Sequence, residues 1–145
     1  LVITLFCFRN HNAIGEPPQD PAQWPAVTAA TIQANHFRYS YLPYLYSLHW
    51  YASTYGGTVV RPVFYEYPFD TKTYDLGYQF MWGNSLLILP AVYKNATSVY
   101  GYIPNDDWYS LYDYKYGQKI EPGHQTLPAP WSSLIPVLVR GNCFF

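Results

Sequence analysis

Charge is scarce in this sequence. Only 12% of the 145 residues are charged, and 8 Lys and Arg stand against 9 Asp and Glu. A chain so close to neutral has no basic surface that attracts a phosphate backbone, so we expect no nucleic acid among its partners. Apolar runs of the roughly 18 residues that a membrane-spanning helix needs are also missing, which predicts no transmembrane segment in this chain. Half of the residues (50%) are nonetheless hydrophobic, which is typical of a chain that buries a core.

Cysteine and histidine are too few and too scattered to form a metal site or a disulfide framework. Cys7 and Cys143 lie at opposite ends of the chain, a spacing that zinc ligands do not use. His36 and His49 are thirteen positions apart, so they do not have the i, i+4 spacing of a helical metal site. Glycine-rich phosphate loops are absent from the sequence as well. We therefore expect no metal and no cofactor.

The first half of the chain has the pattern of a helix followed by a strand. Asp20, placed before a proline, predicts a helix start with a side-chain cap. Pro43 predicts a kink within this helix, and Gly56 with the glycine after it predicts the end. Residues 58–65 are rich in branched and aromatic side chains, which indicates a buried strand and one β/α unit of an alternating fold. The large residues of the predicted buried helix stripe are Phe37, Tyr41, Tyr44, Leu45, Leu48 and Tyr55.

The second half of the chain has the pattern of short antiparallel strands. Apolar runs alternate there with turn residues, which predicts a meander of the kind found in β-sandwiches. The most polar stretch between the two halves lies near residues 70–78, and we place the domain boundary there. The predicted strands are residues 79–82, 85–89, 98–103, 108–112 and 134–139.

Four motifs follow one another along the chain: FRNHN at 8–12, RYSYLPYLYSL at 38–48, TVVRPVFYEYP at 58–68 and QFMWGNSLLILPAV at 79–92. In this order they resemble the glycoside hydrolase family 31 alpha-glucosidases, the group of lysosomal alpha-glucosidase, maltase-glucoamylase and sucrase-isomaltase. The resemblance implies an α/β part followed by an all-β part. Residues 1–75 would be the closing β/α elements of a TIM (β/α)8 barrel, and residues 76–145 the start of the proximal C-terminal β-sandwich. The chain is then expected to be a C-terminal fragment of such an enzyme.

The FRNHN motif supplies the main site candidates. The resemblance implies that His11 binds hydroxyls of the glucose unit at the cleavage point, and an imidazole suits this role because it can donate and accept. Arg9, Asn10 and Asn12 are expected to support the loop by bonding backbone carbonyls. The alternative for His11 is a histidine in a turn, with its hydrogen bonds satisfied there and no role in binding. Arg61 carries five donors on a predicted buried strand, which favours a structural anchor over a sugar contact.

The catalytic carboxylates of a retaining glycosidase are not expected within this chain. Such enzymes use two carboxylates about 5 Å apart. In the family that this chain resembles, both belong to motifs earlier in the polypeptide, and Glu66 follows the last barrel strand and is not the catalytic acid. We therefore assign no catalytic residue and expect the chain alone to be inactive. The other acidic residues are interpreted as caps and turn formers: Glu16, Asp20, Asp70, Asp75, Asp106, Asp107, Asp113 and Glu121.

The function implied by the resemblance belongs to the parent enzyme, which would hydrolyse terminal alpha-linked glucose from maltose-, starch- or glycogen-type oligosaccharides. Two alternatives remain open at this point. One is a non-catalytic carbohydrate-binding or structural module, which the abundant tyrosine and tryptophan would suit. The other is a family member acting on another alpha-linked sugar, such as an alpha-xyloside. For Trp82 and Trp108, which lie in predicted strands, we expect burial in the core over stacking on sugar.

Asn95 begins the triplet Asn-Ala-Thr, which fits the acceptor pattern for N-glycosylation. An ordinary polar turn is the alternative interpretation of this triplet. If a glycan is attached, the protein belongs to the secretory pathway of a eukaryote, as a lysosomal, cell-surface or extracellular protein.

Overall fold

The computed structural model of the chain describes residues 14–111 and 115–141. Within these residues there are three α-helices, with short 3-10 turns at Pro21–Gln23 and Thr71–Thr73. The helices are α1 (Pro25–Ser40), α2 (Leu42–Tyr55) and α3 (Val63–Glu66). The strands are β1 (Val60–Pro62), β2 (Phe80–Trp82), β3 (Leu86–Ile88), β4 (Ser98–Ile103), β5 (Trp108–Ser110), β6 (Lys119–Ile120), β7 (Gly123–Pro128) and β8 (Val137–Arg140).

The predicted long helix is divided into two at Tyr41. Residue Pro43 therefore stands in the first turn of α2, where the N–H that proline lacks would have no partner in any case. The Asp20 carboxylate accepts a hydrogen bond from the Ala22 N–H at 2.9 Å and caps the 3-10 turn that leads into α1. Gly56, with φ at +82°, ends α2 as the sequence predicts.

The buried stripe of the helices is shorter than its periodicity predicts. Tyr44 and Leu45 are buried, and the stripe residues Phe37, Tyr41 and Leu48 pack against them. Tyr55, however, is 67% exposed, so its predicted burial is wrong. It is the last residue of α2, and its ring contacts its helix neighbour Tyr51 at a centroid distance of 4.9 Å. A sequence repeat shows which side of a helix is apolar but not where the packed surface ends.

The segment at residues 58–65 is not the single strand that was predicted. Only Val60–Pro62 is extended, and α3 begins at the next residue, Val63. Strand β1 pairs antiparallel with β2, with Arg61 opposite Met81, so among the described strands it has no parallel partner of the kind that a β/α alternation predicts. The division of the chain into residues 1–75 and 76–145 stays a prediction.

The strands form two antiparallel sheets. A six-stranded sheet has the order β1-β2-β3-β8-β5-β6, and β4 pairs with β7 in a separate two-stranded sheet. All five predicted strands form, and most are shorter than predicted. Because β3 pairs with β8 and not with the next strand in the chain, the connection is not a simple meander.

The six-stranded sheet is covered on both faces, because alternate residues of its central strands enter different clusters. Trp82 and Ile88 pack with Tyr44 of α2, whose hydroxyl donates to the Trp82 carbonyl at 2.9 Å. Met81 and its neighbours pack with Trp108 and with β4 on the other face. Trp82 and Trp108 are completely buried, which confirms their core assignment. No helix in the described part of the chain has both the length and the apolar character needed to cross a bilayer.

Candidate functional site

The four site residues predicted from the FRNHN motif, Arg9, Asn10, His11 and Asn12, lie outside the described residues. Their roles in sugar binding and loop support stay predictions. The other two residues singled out from the sequence, Arg61 and Asn95, are described, and they lie in different parts of the fold.

Arg61 is held by partners close to it in the chain. Its guanidinium forms an ion pair with Glu66, and the two side chains are only 17% and 14% exposed. The Nε atom donates to the Thr58 carbonyl at 2.9 Å, and the guanidinium carbon lies 5.3 Å from the centroid of the Tyr65 ring. The side chain thus connects the start of β1 to the end of α3. Its assignment as an anchor instead of a sugar contact stays a prediction.

Several carboxylates are engaged in caps and ion pairs. Asp70 caps the turn at Thr71–Thr73 by accepting from the Lys72 N–H at 3.1 Å, which agrees with its interpretation as a turn former. Asp106 accepts a hydrogen bond from Arg140 at 2.6 Å. Asp107 pairs with Lys119 at 2.7 Å. These contacts stabilise turns, and their geometry does not suggest general acid or base chemistry.

Asp106 is contacted by Tyr67 as well as by Arg140, and the three residues form a cluster. Its hydroxyl donates to Asp106 at 3.2 Å, and the Arg140 guanidinium lies 5.1 Å from the centroid of its ring. Burial raises the pKa of Tyr67, and the lowering effect of the positive charge on Arg140 does not outweigh it. The phenol therefore stays protonated and holds the cluster together. Among the described residues, no group of three or more His, Cys, Asp or Glu is placed to hold a metal ion.

A cavity of about 580 Å³ lies beside β4 and is lined by several aromatic rings. We call it the aromatic cleft and define it by five ring-bearing residues in its lining: Tyr78, Tyr93, Tyr100, Tyr102 and His124. These residues come from three separate segments of the chain. The cleft was missed at the sequence level because no contiguous motif marks it; the one local signal is the alternation of tyrosines at 100 and 102.

One wall of the aromatic cleft follows from the alternation of side chains along β4. Val99 and Ile103 point into the core, so Tyr100 and Tyr102 occupy the opposite face. His124 of β7 lies directly opposite Tyr102 in the ladder. Its imidazole is parallel to the Tyr100 ring, with an interplanar angle of 4° and a centroid distance of 5.3 Å. The Tyr102 ring packs against the same imidazole at 5.1 Å.

The opposite wall is formed by Tyr78 and Tyr93, whose rings meet edge to face at 6.2 Å. A hydrogen bond to Tyr78 raises the pKa of Tyr93. Between the walls, the buried amide of Gln79 donates to the Tyr102 carbonyl at 2.6 Å and accepts from its N–H at 2.9 Å. This amide takes the place of a neighbouring strand at that position of β4.

Asn95 is exposed in the loop between β3 and β4, with φ at +60°. Asparagine adopts this left-handed conformation more readily than most residues. The residue also lines the rim of a second cavity, of about 340 Å³, between this loop and α1. Glycosylation at Asn95 stays a prediction.

Two family models match the chain. The TIM-barrel domain of glycosyl hydrolases family 31 matches residues 4–48, and the family 31 C-terminal domain matches residues 56–144. The second match alone covers more than half of the chain, so this chain belongs to glycosyl hydrolase family 31. The resemblance inferred from the four motifs is confirmed. The fold class is confirmed as well, because a piece of the barrel domain is followed by the mainly β C-terminal domain.

Relatives align with most of this chain but are much longer. A probable alpha-glucosidase of rice (Oryza sativa subsp. japonica) is 37% identical over 135 residues, which is 92% of this chain and 15% of the rice protein. A human probable maltase-glucoamylase is 42% identical over 115 residues, 77% of this chain and 4% of that protein. The structure of a family 31 dextranase of Flavobacterium johnsoniae, complexed with glucose, is similar with a TM-score of 0.81 and 27% identity, covering 89% of this chain and 16% of the dextranase.

Proposed function

We propose that this chain is part of a retaining alpha-glucosidase that hydrolyses terminal alpha-linked glucose from maltose-, starch- or glycogen-type oligosaccharides. The observation that carries the proposal is the 37% identity to the rice probable alpha-glucosidase over 92% of the chain. The 42% identity to the human probable maltase-glucoamylase gives further support. Since the chain spans only 15% and 4% of those proteins, the activity is that of a longer polypeptide containing these residues.

In this proposal His11 positions the sugar and does not carry out bond cleavage. Its imidazole donates to one glucose hydroxyl and accepts from another. Arg9, Asn10 and Asn12 hold the loop by bonding its backbone, and Arg61 fixes the turn around β1. The nucleophile and the acid, two carboxylates about 5 Å apart, come from the remainder of the polypeptide. Engagement of Asp70, the Arg61 partner Glu66 and other carboxylates in caps and ion pairs agrees with this division of labour.

A second candidate function differs from the first in the sugar that the enzyme hydrolyses. The Flavobacterium dextranase, 27% identical, supports a family member that acts on another alpha-linked glucan. Parallel rates on maltose, isomaltose, dextran and an alpha-xyloside decide between the two. The alpha-glucosidase proposal requires maltose to have the highest kcat/KM of the four.

The proposal is tested with the full-length polypeptide that contains this chain. It should release glucose from maltose with the alpha-anomer formed first, as proton NMR of the early product will show. The 145-residue chain alone should not hydrolyse a chromogenic alpha-glucoside. Turnover by the isolated chain would contradict the placement of both carboxylates elsewhere, and initial formation of the beta-anomer would contradict a retaining mechanism.

The role of His11 is tested by His11→Ala in the same full-length polypeptide. Hydrogen bonds to sugar hydroxyls strengthen in the transition state and supply several kcal/mol, so kcat/KM should fall by about 100-fold or more. The matched control is His36→Ala, because His36 is exposed on α1. Equal activity of the two variants would leave His11 as a histidine in a turn.

We propose further that the polypeptide passes through the secretory pathway of a eukaryote and carries a glycan on Asn95. The exposed, left-handed turn at this residue supports the proposal, because a glycan needs an accessible acceptor. Enzymatic removal of N-glycans should lower the apparent mass of the protein secreted from eukaryotic cells. Asn95→Gln should reduce that change by one glycan, and an unaltered change would assign the glycans to other residues.

A further inference from the structure

We propose that the aromatic cleft is a saccharide-binding site that holds a neutral glucan segment between its two walls. The choice of a glucan rests on the function proposed above. Existence of the site rests on the geometry of residues 75–126.

The rings of the cleft present accessible faces to a ligand. Tyr78, Tyr93 and Tyr100 are 62%, 72% and 70% exposed, so a ligand can reach their rings. A pyranose ring has apolar C–H faces that pack on aromatic rings while its hydroxyls remain in water. A cavity of about 580 Å³ also falls within the range of about 300–1,000 Å³ that small-molecule sites occupy.

The wall formed by β4 and β7 is held in place before any ligand arrives. The Tyr102 hydroxyl donates to Asp70 at 2.7 Å, and both backbone groups of Tyr102 bond to the Gln79 amide. His124 is packed against Tyr102 and stacked on Tyr100. Rings that are already ordered lose little conformational entropy when they bind a ligand, so even a few stacking contacts yield measurable affinity.

Polar groups for the sugar hydroxyls lie beside the rings. Because residues i and i+2 of a strand direct their backbone groups to the same side, Tyr100 directs its N–H and carbonyl to the same side as Tyr102, towards the cleft. Ser98 and Thr126, which carry hydroxyls, also line the cavity, and so does the exposed residue Asp75. This mixture of a few donors and acceptors on an aromatic surface suits a polyhydroxylated ligand.

The charged residues in the lining of the cleft favour a neutral ligand. Within the part of the chain that the structure describes, the cavity lining contains Asp75 but no lysine or arginine. Lys72 is near, but its ammonium group lies over the Tyr102 ring, 5.6 Å from the centroid. A phosphorylated or sulfated ligand would therefore meet a carboxylate with no cation in the lining to offset the repulsion.

The test is affinity electrophoresis of the full-length polypeptide through native gels that contain soluble starch or dextran. The wild type should be retarded. Tyr100→Ala should raise the apparent Kd by about 5-fold or more, because it removes the stacking surface. Tyr116→Ala is the matched control, because Tyr116 is also 70% exposed but does not line the cleft. Tyr93→Ala removes the opposite wall and gives a second variant if Tyr100→Ala does not fold.

The outcomes separate this inference from the proposed function. Equal retardation of wild type, Tyr100→Ala and Tyr93→Ala would overturn the site, as would a wild type that is not retarded by either glucan. Failure to hydrolyse any alpha-glucoside would overturn the proposed function alone. Retardation that is lost in both cleft variants and kept in Tyr116→Ala would support the site whether or not hydrolysis occurs.

Discussion

At the scale of single residues, charged groups in this chain are used mainly to hold turns. Arg61 and Glu66 are five positions apart, yet they connect a strand to the helix that follows it. Their side chains are mostly buried, in contrast to the Asp107 and Lys119 pair, in which both side chains are about half exposed. Burial determines which ion pair contributes to the stability of the fold, because solvent screens an exposed ion pair.

Glu66→Ala should destabilise the protein because it leaves the buried guanidinium of Arg61 without its charged partner. The expected loss is about 1–3 kcal/mol in the free energy of unfolding, measured by urea denaturation followed by tryptophan fluorescence. Asp107→Ala is the control and should leave the unfolding midpoint unchanged. Equal losses in the two variants would show that burial of the Arg61 pair has no special effect.

At the scale of elements, β4 shows how closely the two sheets approach. Gly101 points towards the core, and a Cβ added there would overlap Cδ2 of Leu89 and lie 3.0 Å from the Gln79 side-chain oxygen. Glycine is favoured here by close packing with the Leu89 and Gln79 side chains and not by its backbone conformation, because its φ is not in the left-handed region.

Gly101→Ala should displace β4 from the six-stranded sheet. Overpacking of this kind costs about 1–3 kcal/mol, which will appear as a lower urea midpoint. Gly77→Ala provides the control, because a Cβ at Gly77 has no heavy atom within 4 Å. A Gly101→Ala variant as stable as Gly77→Ala would mean that the sheets are not packed as described.

Tyr102 links β4 to the turn at Thr71–Thr73 and makes stability depend on pH. Burial, followed by the hydrogen bond to Asp70 and the charge on its carboxylate, raises the pKa of Tyr102 from 10.0 to about 12. The folded state therefore favours the protonated phenol, so this stability is fully present below pH 10 and is lost as the pH rises towards 12.

The urea midpoint should accordingly fall between pH 10 and 12, and Tyr102→Phe should make that fall less steep. The comparison variant is Tyr46→Phe, which changes an exposed tyrosine on α2. Identical slopes for Tyr102→Phe and wild type would exclude this contribution.

Local sequence signals predicted where helices begin and end better than they predicted which strands pair with each other. Asp20 and Gly56 act within one turn of the chain, so their caps could be predicted from the sequence. The strand β7, with the sequence GHQTLP, has few residues of high β-propensity and is extended because it pairs with β4. Pairing of β3 with β8 depends on tertiary packing and has no local signal.

The same distinction between local signals and tertiary contacts applies to the candidate site. A contiguous motif, FRNHN, could be found in the sequence, and its sugar-binding role stays a prediction. The aromatic cleft could not be found, because Tyr78, Tyr93 and His124 come together only when β4 pairs with β7 and the loop before β4 folds back. Tertiary contacts of this kind cannot be inferred from residue spacing.

At the scale of the whole molecule, the six-stranded sheet is covered on both faces, yet one helix surface remains apolar. The outer side of α2 exposes several rings, and a patch of this kind marks a surface that associates with other protein. The exposed aromatic residues of α2 are Tyr46, Trp50, Tyr51 and Tyr55.

The isolated 145-residue chain should therefore aggregate at micromolar concentration, as light scattering and size-exclusion chromatography will show. Combined Tyr46→Ser and Trp50→Ser should increase the monomeric fraction. Trp131→Ser is the control, because Trp131 is 67% exposed and does not belong to α2. A soluble monomer with a sharp thermal transition would contradict the prediction.

The amide of Gln79 occupies one pairing position on the free edge of β4. An incoming strand from a second copy would need the N–H and carbonyl of Tyr102, and both are already bonded at 2.9 and 2.6 Å. Displacing this buried side chain would leave its amide unsatisfied, a cost of about 1–3 kcal/mol for each group. One glutamine side chain therefore makes it unfavourable for a second copy of the chain to pair with β4 at Tyr102.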